Sequence, residues 1–252
     1  MKLAITGKGG VGKTTLTSLL AHHYASQNFK VLAIDADPSP CLGASLGFPR
    51  NLVEALTPIA EMEELIYERT DAKPGTYGGY FKLNPRVDDI PDRFVARHRG
   101  IALLELGSVE KGGSGCICPE SVLLKQLVSH ILLRRDEVVL MDMYAGVEHL
   151  ERATADGVDA MLVVAEPTAR SLATASQIKS LANDIGIKRK VQSDEDRTYI
   201  ESHSPDLAVL GFMPYTNKAQ QADRDGVAIY DASDEMQEAV RGIVGKIEKV
   251  RV

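Results

Sequence analysis

The sequence predicts an α/β protein with a doubly wound, mostly parallel sheet that carries helices on both faces. Short apolar runs alternate with longer segments of helical period, which is the pattern of a parallel sheet. A glycine-rich loop connects the first apolar run directly to the first helical segment. With 252 residues the chain can bury one sizeable core, and the alternation gives no reason to divide it. We therefore expect one domain, residues 1–252.

Each predicted strand is a short apolar run bounded by turn or charged residues. Such runs lie at residues 2–6, 31–35, 101–106, 137–142, 160–165 and 208–212. Segments with apolar residues three and four apart predict helices that begin near Lys13, Leu52, Glu120, Glu148, Thr168, Glu195 and Ser233. This order of elements predicts the crossover connections of a parallel sheet.

Two segments depart from this alternation. Residues 69–100 contain Pro74, Pro85 and Pro91 and the run GTYGGY, and predict an ordered excursion from the sheet edge or a solvated loop. The run IGIKRKVQSDED, residues 185–196, is charged and short where a doubly wound sheet needs another buried strand. We therefore expect either a missing strand or a shortened segment there.

The last predicted helix carries an apolar stripe. The stripe consists of Met236, Val240, Ile243, Val244, Ile247 and Val250. A stripe of this kind covers a core or lies on a membrane surface. Its polar face mixes acidic and basic side chains and it lacks bulky aromatic residues, which favours a helix that covers the core.

The composition argues against several classes of partner. Lys and Arg number 29 against 35 Asp and Glu, a formal net charge of −6 with no basic block, so no nucleic-acid partner is expected. No apolar stretch approaches the roughly 20 residues that span a bilayer, and no cleavable apolar segment follows the first strand. We therefore expect a cytoplasmic protein without a membrane partner, whose three cysteines are reduced.

The glycine-rich loop GKGGVGKTT matches the phosphate-binding pattern GxxxxGK[ST] from Gly7 to Thr14. Glycines let backbone N–H groups surround phosphate oxygens, the Lys13 side chain reaches the β- and γ-phosphates, and the Thr14 hydroxyl binds Mg²⁺. The residues expected to bind the nucleotide are Gly9, Gly10, Val11, Gly12, Lys13, Thr14 and Thr15. The predicted ligand is a nucleoside triphosphate with magnesium, for which a second lysine, Lys8, is not needed.

Acidic residues follow two of the predicted strands. Asp35 and Asp37, in DADPS, are two apart, so both side chains are expected to leave the strand end toward the phosphates, where Asp37 would hold the attacking water. Asp142, in LMDMYAG, is expected near Mg²⁺, and Gly146 would let a backbone N–H approach the γ-phosphate. The alternative for each aspartate is a helix cap or a turn.

A CxC motif forms a second candidate site. In KGGSGCICPESVLLKQL, Cys116 and Cys118 are two residues apart, so both sulfurs of an extended segment lie on one side. Pro119 suits the first turn of a helix that follows the motif. The positive N-terminus of that helix is expected to favour thiolate over thiol. Two chains on a twofold axis would supply four thiolates, a tetrahedral set that suits Zn²⁺, an iron–sulfur cluster or Ni²⁺. The alternative is a pair of buried thiols. Cys41 has no partner nearby and is expected in the core.

The motifs GKGGVGKTT, DADPS and DMYAG together resemble the MinD-like group of P-loop ATPases. This group includes the nitrogenase iron protein, ParA-type partition ATPases and metallocluster maturation factors. In the group, the first loop lysine, here Lys8, crosses a dimer interface and touches the phosphates of the other subunit. The resemblance therefore implies a homodimer in which Lys8 and Asp37 are catalytic.

The CxC motif, followed by SVLLKQL and VEHLERAT, resembles CooC-type carbon monoxide dehydrogenase maturation ATPases over nearly the whole chain. This resemblance implies ATP as nucleotide and nickel delivery to carbon monoxide dehydrogenase or acetyl-CoA synthase, with Cys116 and Cys118 shared across the dimer. The group's asparagine-lysine pair after the Thr168 helix is absent, so Met213 and Pro214 are expected to contact the adenine. The alternatives are a MinD- or ParA-type spatial switch and an iron–sulfur electron-transfer ATPase.

Overall fold

The protein forms an eight-stranded sheet with helices on both faces in the computed structural model, which confirms the predicted fold class. The structure describes residues 1–75, 80–107, 118–134, 137–143, 158–181, 187–191 and 209–250. The strands are β1 (Lys2–Gly7), β2 (Val31–Ala36), β3 (Ala96–His98), β4 (Ile101–Glu105), β5 (Val138–Met143), β6 (Ala160–Val164), β7 (Ile187–Val191) and β8 (Val209–Pro214). They are ordered β3-β4-β2-β5-β1-β6-β7-β8, with β3 antiparallel to β4 and all other pairs parallel.

Two of these strands are not predicted from the sequence. β3 is a three-residue edge strand, joined to β4 by a tight turn in which Arg99 and Gly100 both have positive φ. Of the two alternatives for residues 185–196, the missing strand is wrong, because β7 lies there between β6 and β8. Backbone pairing, which does not depend on side-chain type, extends the sheet through a charged segment without an apolar run.

Ten α-helices lie within the described residues. They are α1 (Lys13–Ser26), α2 (Leu42–Ser45), α3 (Arg50–Glu54), α4 (Glu63–Thr70), α5 (Ile90–Arg93), α6 (Pro119–Arg134), α7 (Ala169–Leu181), α8 (Asn217–Asp225), α9 (Ile229–Ala232) and α10 (Asp234–Val250). The predicted starts near Lys13, Glu120, Thr168 and Ser233 are confirmed to within one residue.

The remaining helix predictions have mixed outcomes. The helix predicted near Leu52 is the five-residue α3, because Pro49 precedes it and Pro58 follows soon after it. The starts predicted near Glu148 and Glu195 lie outside the described residues. Residues 69–100 contain α5 and β3, so the described part of this segment is an ordered excursion at the sheet edge.

The sheet separates two apolar layers. One face packs against α1 and α10, and the other packs against α4 and α6. The apolar stripe of α10 lies in the first layer, where Met236, Val240, Ile243, Val244 and Ile247 are at most 3 % exposed. This burial confirms a helix that covers the core. Within the described ranges, no helix combines the length and apolar character needed to cross a bilayer.

Parallel pairing brings the carboxyl ends of several strands to one edge of the sheet. Asp35 at the end of β2 lies in register with Glu105 of β4 on one side and Asp142 of β5 on the other. Residues in register share a face of the sheet, and this face is the one that packs against α1. The glycine-rich loop joins β1 to α1 at the same edge, so the fold assembles the predicted site.

Candidate functional site

The phosphate loop, residues 7–15, has glycine where its backbone requires it. Gly7 has φ 142°, and a β-carbon on this residue would overlap the carbonyl oxygen of Val164 in β6. Gly12 has φ 93°, a left-handed conformation, and directly precedes α1. The first N–H groups of α1 therefore open onto the loop, which is the arrangement that binds phosphate.

The two lysines of the loop have different environments. Lys13 is the first residue of α1 and only 7 % exposed. Its Nζ donates to the carbonyl oxygen of Lys8 at 3.2 Å, so its ammonium group is held across the loop. The Lys8 residue itself is exposed to solvent. Lys13 is therefore positioned for phosphates in its own loop, while the Lys8 side chain is accessible from outside the chain.

Asp142 is a buried carboxylate without a hydrogen-bond partner of ordinary geometry. The residue is 2 % exposed, and neither oxygen is hydrogen-bonded within the described residues. Burial raises its pKa to about 7, helped by the charges of Asp35 and Asp37 and opposed by the nearby Thr14 hydroxyl and Lys13 ammonium. An unpartnered buried carboxylate costs free energy, which a bound cation would offset.

The oxygens of Thr14 and Asp142 fit a Mg²⁺ ion. A hydroxyl and an unpartnered carboxylate are the hard ligands that Mg²⁺ prefers beside nucleotide phosphates. When bound with the nucleotide, Mg²⁺ neutralises phosphate charge. In the part of the chain that the structure describes, no group of three or more His, Cys, Asp or Glu side chains could hold a metal alone. The ion would thus be shared between protein and phosphates.

Asp35 is equally buried, but the loop that follows β2 uses both of its oxygens. The N–H of Asp37 donates to Oδ1 at 3.0 Å, and the N–H groups of Cys41 and Leu42 donate to Oδ2 at 2.9 Å each. Burial raises the pKa of Asp35, and these three hydrogen bonds oppose the rise. Asp35 therefore holds residues 37–42 with both of its oxygens, and its expected approach to the phosphates stays a prediction.

Asp37 makes a turn of the kind that the sequence left as an alternative. Its Oδ1 accepts the N–H of Ser39 at 2.9 Å, which is an Asx turn. This bond engages one carboxylate oxygen. Contact between Asp37 and an attacking water stays a prediction.

Sequence reasoning missed a third acid, Glu105, at the end of β4. It lies in register with Asp35, is 5 % exposed, and has no partner for Oε1 within the described residues. Burial raises its pKa to about 7, with the charges of Asp35 and Glu61 acting in the same direction. The available signal was that β4, like β2 and β5, is an apolar run that reaches an acid near its carboxyl end.

Cys41 lies beside the phosphate loop and is exposed, so its expected core position is wrong. Its Sγ is 3.6 Å from Thr14 Oγ1. Partial desolvation raises the pKa of the thiol; the Thr14 hydroxyl opposes the rise, and nearby carboxylates, including Asp142, add to it. The position follows from Asp35, whose hydrogen bond to the Cys41 N–H draws the loop back toward α1.

Among the described residues, Thr15 of the phosphate loop lines two neighbouring cavities, which also share Ala219 and Gln220. The first, of about 110 Å³, lies between Gly12 and the end of β8, and its lining includes Met213 and Pro214. The second, of about 300 Å³, lies between Cys41 and helices α8 and α9. Met213 and Pro214 are therefore next to the phosphate loop as the adenine prediction requires, and their contact with the base stays a prediction.

Cys118 directly precedes α6, which begins at Pro119 as predicted. The Ser121 hydroxyl donates to the Cys118 carbonyl oxygen at 2.9 Å and fixes the start of the helix. The expectation that this helix end favours thiolate is wrong for the chain alone. Burial raises the pKa of the Cys118 thiol, and the Glu120 charge adds to the rise. A metal ion bound here would have to displace the thiol proton.

Two predicted site residues, Cys116 and Gly146, lie outside the described residues. The spacing of the two CxC sulfurs and the approach of the Gly146 N–H to phosphate therefore stay predictions. Of the other residues predicted to bind the nucleotide through the phosphate loop, Val11 is buried, and Gly9 and Gly10 are exposed.

Known sequences resemble this chain over most of its length. Residues 2–229 match the family model described as the CobQ/CobB/MinD/ParA nucleotide binding domain. The chain is 44 % identical over 253 residues to the carbon monoxide dehydrogenase accessory protein CooC of Rhodospirillum rubrum, covering 98 % of this chain and 96 % of that protein. It is 46 % identical over 231 residues to an uncharacterized ATP-binding protein of Methanocaldococcus jannaschii, covering 88 % of each.

Solved structures show the same architecture. The MinD cell division protein of Aquifex aeolicus superposes with a TM-score of 0.66 at 20 % identity, covering 99 % of this chain and 96 % of that one. A putative plasmid partition protein of Borrelia burgdorferi bound to AMPPNP gives 0.65 at 16 % identity, covering 99 % and 98 %. At these identities the likeness shows the fold alone.

Proposed function

Since the chain belongs to the CobQ/CobB/MinD/ParA family of nucleotide-binding proteins, we propose that this ATPase delivers nickel during maturation of carbon monoxide dehydrogenase. The general role in this proposal is that of an ATPase accessory to carbon monoxide dehydrogenase. It is supported by the 44 % identity to CooC of Rhodospirillum rubrum over nearly the full length of both chains. The proposed mechanism is that ATP binding closes a homodimer that holds the metal as cargo, and that ATP hydrolysis opens it.

The first step is binding of the nucleotide to one chain. Lys13 Nζ, which now donates to the Lys8 carbonyl, would exchange this weak partner for phosphate oxygens of opposite charge. Thr14 and the unpartnered Asp142 would hold the Mg²⁺ that accompanies the phosphates. Mg²⁺ would also give the buried Asp142 carboxylate a partner, so nucleotide binding should stabilise the folded chain.

The different environments of the two lysines are the observation that best supports the proposed dimer. Lys13 is buried and committed to its own loop, whereas Lys8 is exposed at the same loop. A cation on an exposed phosphate loop can act on phosphates bound by a second chain, as an arginine finger does. Lys8 would therefore act in trans, so that hydrolysis requires two subunits.

The metal site follows from the same twofold arrangement. Each chain supplies Cys116 and Cys118, and two chains supply a tetrahedral set of four sulfurs. Cys118 is nearly buried at the start of α6, where its thiol stays protonated without metal. Binding of Ni²⁺ or Zn²⁺ would release these protons, so the thiols give up metal readily when the dimer opens.

The proposed acceptor is carbon monoxide dehydrogenase, or the related acetyl-CoA synthase, and the proposed location is the cytoplasm. A membrane-bound switch of the MinD type is less well supported, because the apolar stripe of α10 is buried in the core. The iron–sulfur alternative predicts visible absorption and a paramagnetic signal in anaerobically purified protein.

The metal site is tested by counting bound metal. Purified chain is equilibrated with Ni²⁺ or Zn²⁺, excess Mg²⁺ and a non-hydrolysable ATP analogue, and metal per dimer is measured together with mass in solution. We expect one metal ion per dimer in the natural sequence and none in Cys116→Ser/Cys118→Ser. Cys41→Ser, which removes the remaining thiol, serves as the matched control and should keep the metal. An unchanged metal count in the double variant would refute the shared site.

The trans role of Lys8 is tested by mixing variants. Lys8→Ala should bind the analogue through Lys13 but lose ATPase activity and analogue-driven dimerisation. Lys30→Ala removes an exposed lysine distant from the loop and controls for the loss of charge. Full activity of Lys8→Ala would contradict the proposal. Partial recovery when Lys8→Ala is mixed with a Lys13→Ala chain would support it, because each mixed dimer then has one site with both lysines.

A further inference from the structure

The functions proposed above make no use of Glu105, the buried acid at the end of β4. Only 5 % of the residue is exposed, and its Oε1 has no hydrogen-bond partner within the described residues. A buried carboxylate without a partner costs free energy when it is ionised. The protonation state of Glu105 should therefore affect the segments that lie against it.

The neighbour of Glu105 across the sheet is the acid that anchors a loop. Glu105 lies in register with Asp35 of β2, so the two side chains leave the same face of the sheet. Asp35 uses both of its oxygens to hold the β2–α2 loop, residues 37–41, together with the first residue of α2. This loop carries Asp37, the acid predicted to hold the attacking water. Glu105 is thus next to the anchor of a loop at the nucleotide site.

The β2–α2 loop leads into a helix that packs on the same face of β4. A β-carbon on Gly43 of α2 would lie 3.0 Å from Leu103 Cδ2. Leu103 precedes Glu105 by two residues and therefore shares its face of the sheet. Leu42, the first residue of α2, is buried in the same apolar layer as Leu103. The loop therefore crosses the edge of the sheet beside Glu105.

The strand end that carries Glu105 is held by backbone hydrogen bonds. The N–H of Leu106 donates to the carbonyl oxygen of Asp35 at 2.9 Å, and the N–H of Ala60 donates to the carbonyl oxygen of Leu106 at 2.9 Å. The β2–α2 loop is instead tied to the strand end through the side chain of Asp35. Of the two segments, the loop is the one whose attachment depends on a charged group.

The charges that act on Glu105 are negative. Burial raises its pKa to about 7, and the charges of Asp35 in β2 and Glu61 in the short turn at residues 59–61 add to the rise. Ionisation of Glu105 is therefore opposed both by burial and by the acid that anchors the loop.

The other titratable groups of the elements on this face are paired or lie elsewhere. His98 of β3 is in register with Ile101 at the far end of β4, Lys13 of α1 acts on Asp142, and Arg50 and Glu54 of α3 pair with each other. α2 has no titratable side chain. The β2–α2 loop itself adds Asp37 and the Cys41 thiol, which supply no positive charge.

We propose that Glu105 is a positioning residue for the β2–α2 loop, whose protonated form keeps the loop closed over the strand end and whose loss of the proton to solvent releases the loop. The usual pKa of a glutamate is 4.5, and between this value and about 7 the closed loop holds a proton that the open loop gives up. Opening therefore becomes more favourable by up to about tenfold per pH unit over this interval and levels off above pH 7. The inference goes beyond nickel delivery and requires neither metal nor a dimer.

The test is hydrogen exchange of the three N–H groups that Asp35 accepts. Exchange of the Asp37, Cys41 and Leu42 amides is measured at pH 5 and pH 8 without nucleotide and Mg²⁺, and each rate is compared with the intrinsic rate of an unstructured peptide at the same pH. In the natural chain this protection should fall on the order of 10- to 100-fold between the two pH values. Glu105→Gln should have the natural protection at pH 5 and about tenfold higher protection than the natural chain at pH 8.

Two variants serve as controls. Glu54→Gln removes the same charge from an exposed acid that is paired with Arg50, and it should leave the protection unchanged at both pH values. Asp142→Asn removes the acid on the other side of Asp35, and protection in this variant should still fall as pH rises. A fall that disappears in Asp142→Asn and persists unchanged in Glu105→Gln would overturn the inference.

The same experiment separates positioning of the loop from a role in stability alone. Urea denaturation of Glu105→Gln is measured in parallel at pH 8. A gain in global stability with unchanged exchange of the three loop amides would refute the inference. If Glu105→Gln does not fold, Glu105→Met has a similar length without the charge and gives the same comparison. Constant protection in the natural chain from pH 5 to pH 8 would by itself refute the inference, whatever the outcome for nickel delivery.

Discussion

The ends of β2 and β5 present two aspartates that match in almost every respect but one. Asp35 and Asp142 lie in register on neighbouring strands, share a face of the sheet and are 1 % and 2 % exposed. Asp35 accepts three backbone N–H groups, whereas Asp142 accepts none within the described residues. The position of an acid at a strand end therefore does not determine its role.

This difference suggests a rule for buried acids. Those with hydrogen-bond partners in the protein are structural, and those without such partners are candidates for binding a ligand. A carboxylate with all its partners in the protein stabilises the fold, and one with none is costly until a ligand arrives. Asp35 thus shapes the loop that carries Cys41, and Asp142 has oxygens available to a ligand. Substituting either aspartate by asparagine, which keeps the size and removes the charge, should have opposite consequences for function and stability.

The largest expected effect is on hydrolysis by Asp142→Asn. Removing the charge that holds the Mg²⁺ complex should lower the ATPase rate on the order of 10²- to 10³-fold at saturating nucleotide. Phosphate release is measured with Asp88→Asn as control, since Asp88 is an exposed acid paired with Arg86 outside the site. A variant within threefold of the natural rate would show that Asp142 is not a functional acid.

The next effect is on stability by Asp35→Asn. An asparagine side chain has one acceptor oxygen, so at least one of the three loop N–H groups loses its partner and faces an amide that also donates. We expect the free energy of unfolding to fall by about 2 to 3 kcal/mol. Urea denaturation measures the change, and a loss below 0.5 kcal/mol, about the size of a neutral surface substitution, would contradict the structural role.

The sequence predicts the position and conformation of the glycine-rich loop well because local rules determine them. The loop motif, the strand before it and the helix after it are adjacent in the chain, and glycine requirements at Gly7 and Gly12 follow from the local backbone. The presence of acids at the ends of β2 and β5 was also predicted. Parallel pairing then brings these ends to one edge of the sheet.

The sequence does not predict how each acid is used. The hydrogen bonds of Asp35 and the contact of Cys41 with Thr14 depend on how residues 37–42 fold back beside α1, and the burial of Glu105 depends on how the sheet packs around it. These features depend on the path of a loop and on contacts such as Cys41 with Thr14, 27 residues apart, for which the spacing of residue types carries no signal. β7 was missed for a related reason, since its pairing with β6 and β8 involves backbone groups rather than an apolar pattern.

A smaller effect concerns the pH dependence of stability without nucleotide. Burial raises the pKa of Asp142 to about 7 in the fold, against 3.8 for an aspartate exposed to water. Between these values the native state holds a proton that the unfolded chain has lost, so the free energy of unfolding decreases as pH rises from about 4 to 7. Above pH 7 the full penalty of the buried charge is present.

Asp142→Asn should therefore be more stable than the natural chain by about 1 to 2 kcal/mol at pH 8 without nucleotide and Mg²⁺. The gain is smaller than the full charge penalty because the buried amide also lacks partners. The pH slope should become shallower but persist, since Glu105 titrates in the same direction. Urea midpoints at pH 5 and pH 8 measure both quantities. Equal or lower stability of the variant at pH 8 would contradict the assignment of Asp142 as a destabilising acid.

The smallest stability effect is expected from Asp37→Asn. This variant tests whether the comparison of Asp35 with Asp142 can be extended to Asp37. The Asx turn needs one acceptor for the Ser39 N–H, and the asparagine oxygen supplies it. The free energy of unfolding should therefore change by no more than about 0.5 kcal/mol. If Asp37 also orients the attacking water, the hydrolysis rate should fall while analogue binding persists. A stability loss like that of Asp35→Asn would instead make Asp37 a structural acid, because its charge and not only its oxygen would then be holding the loop.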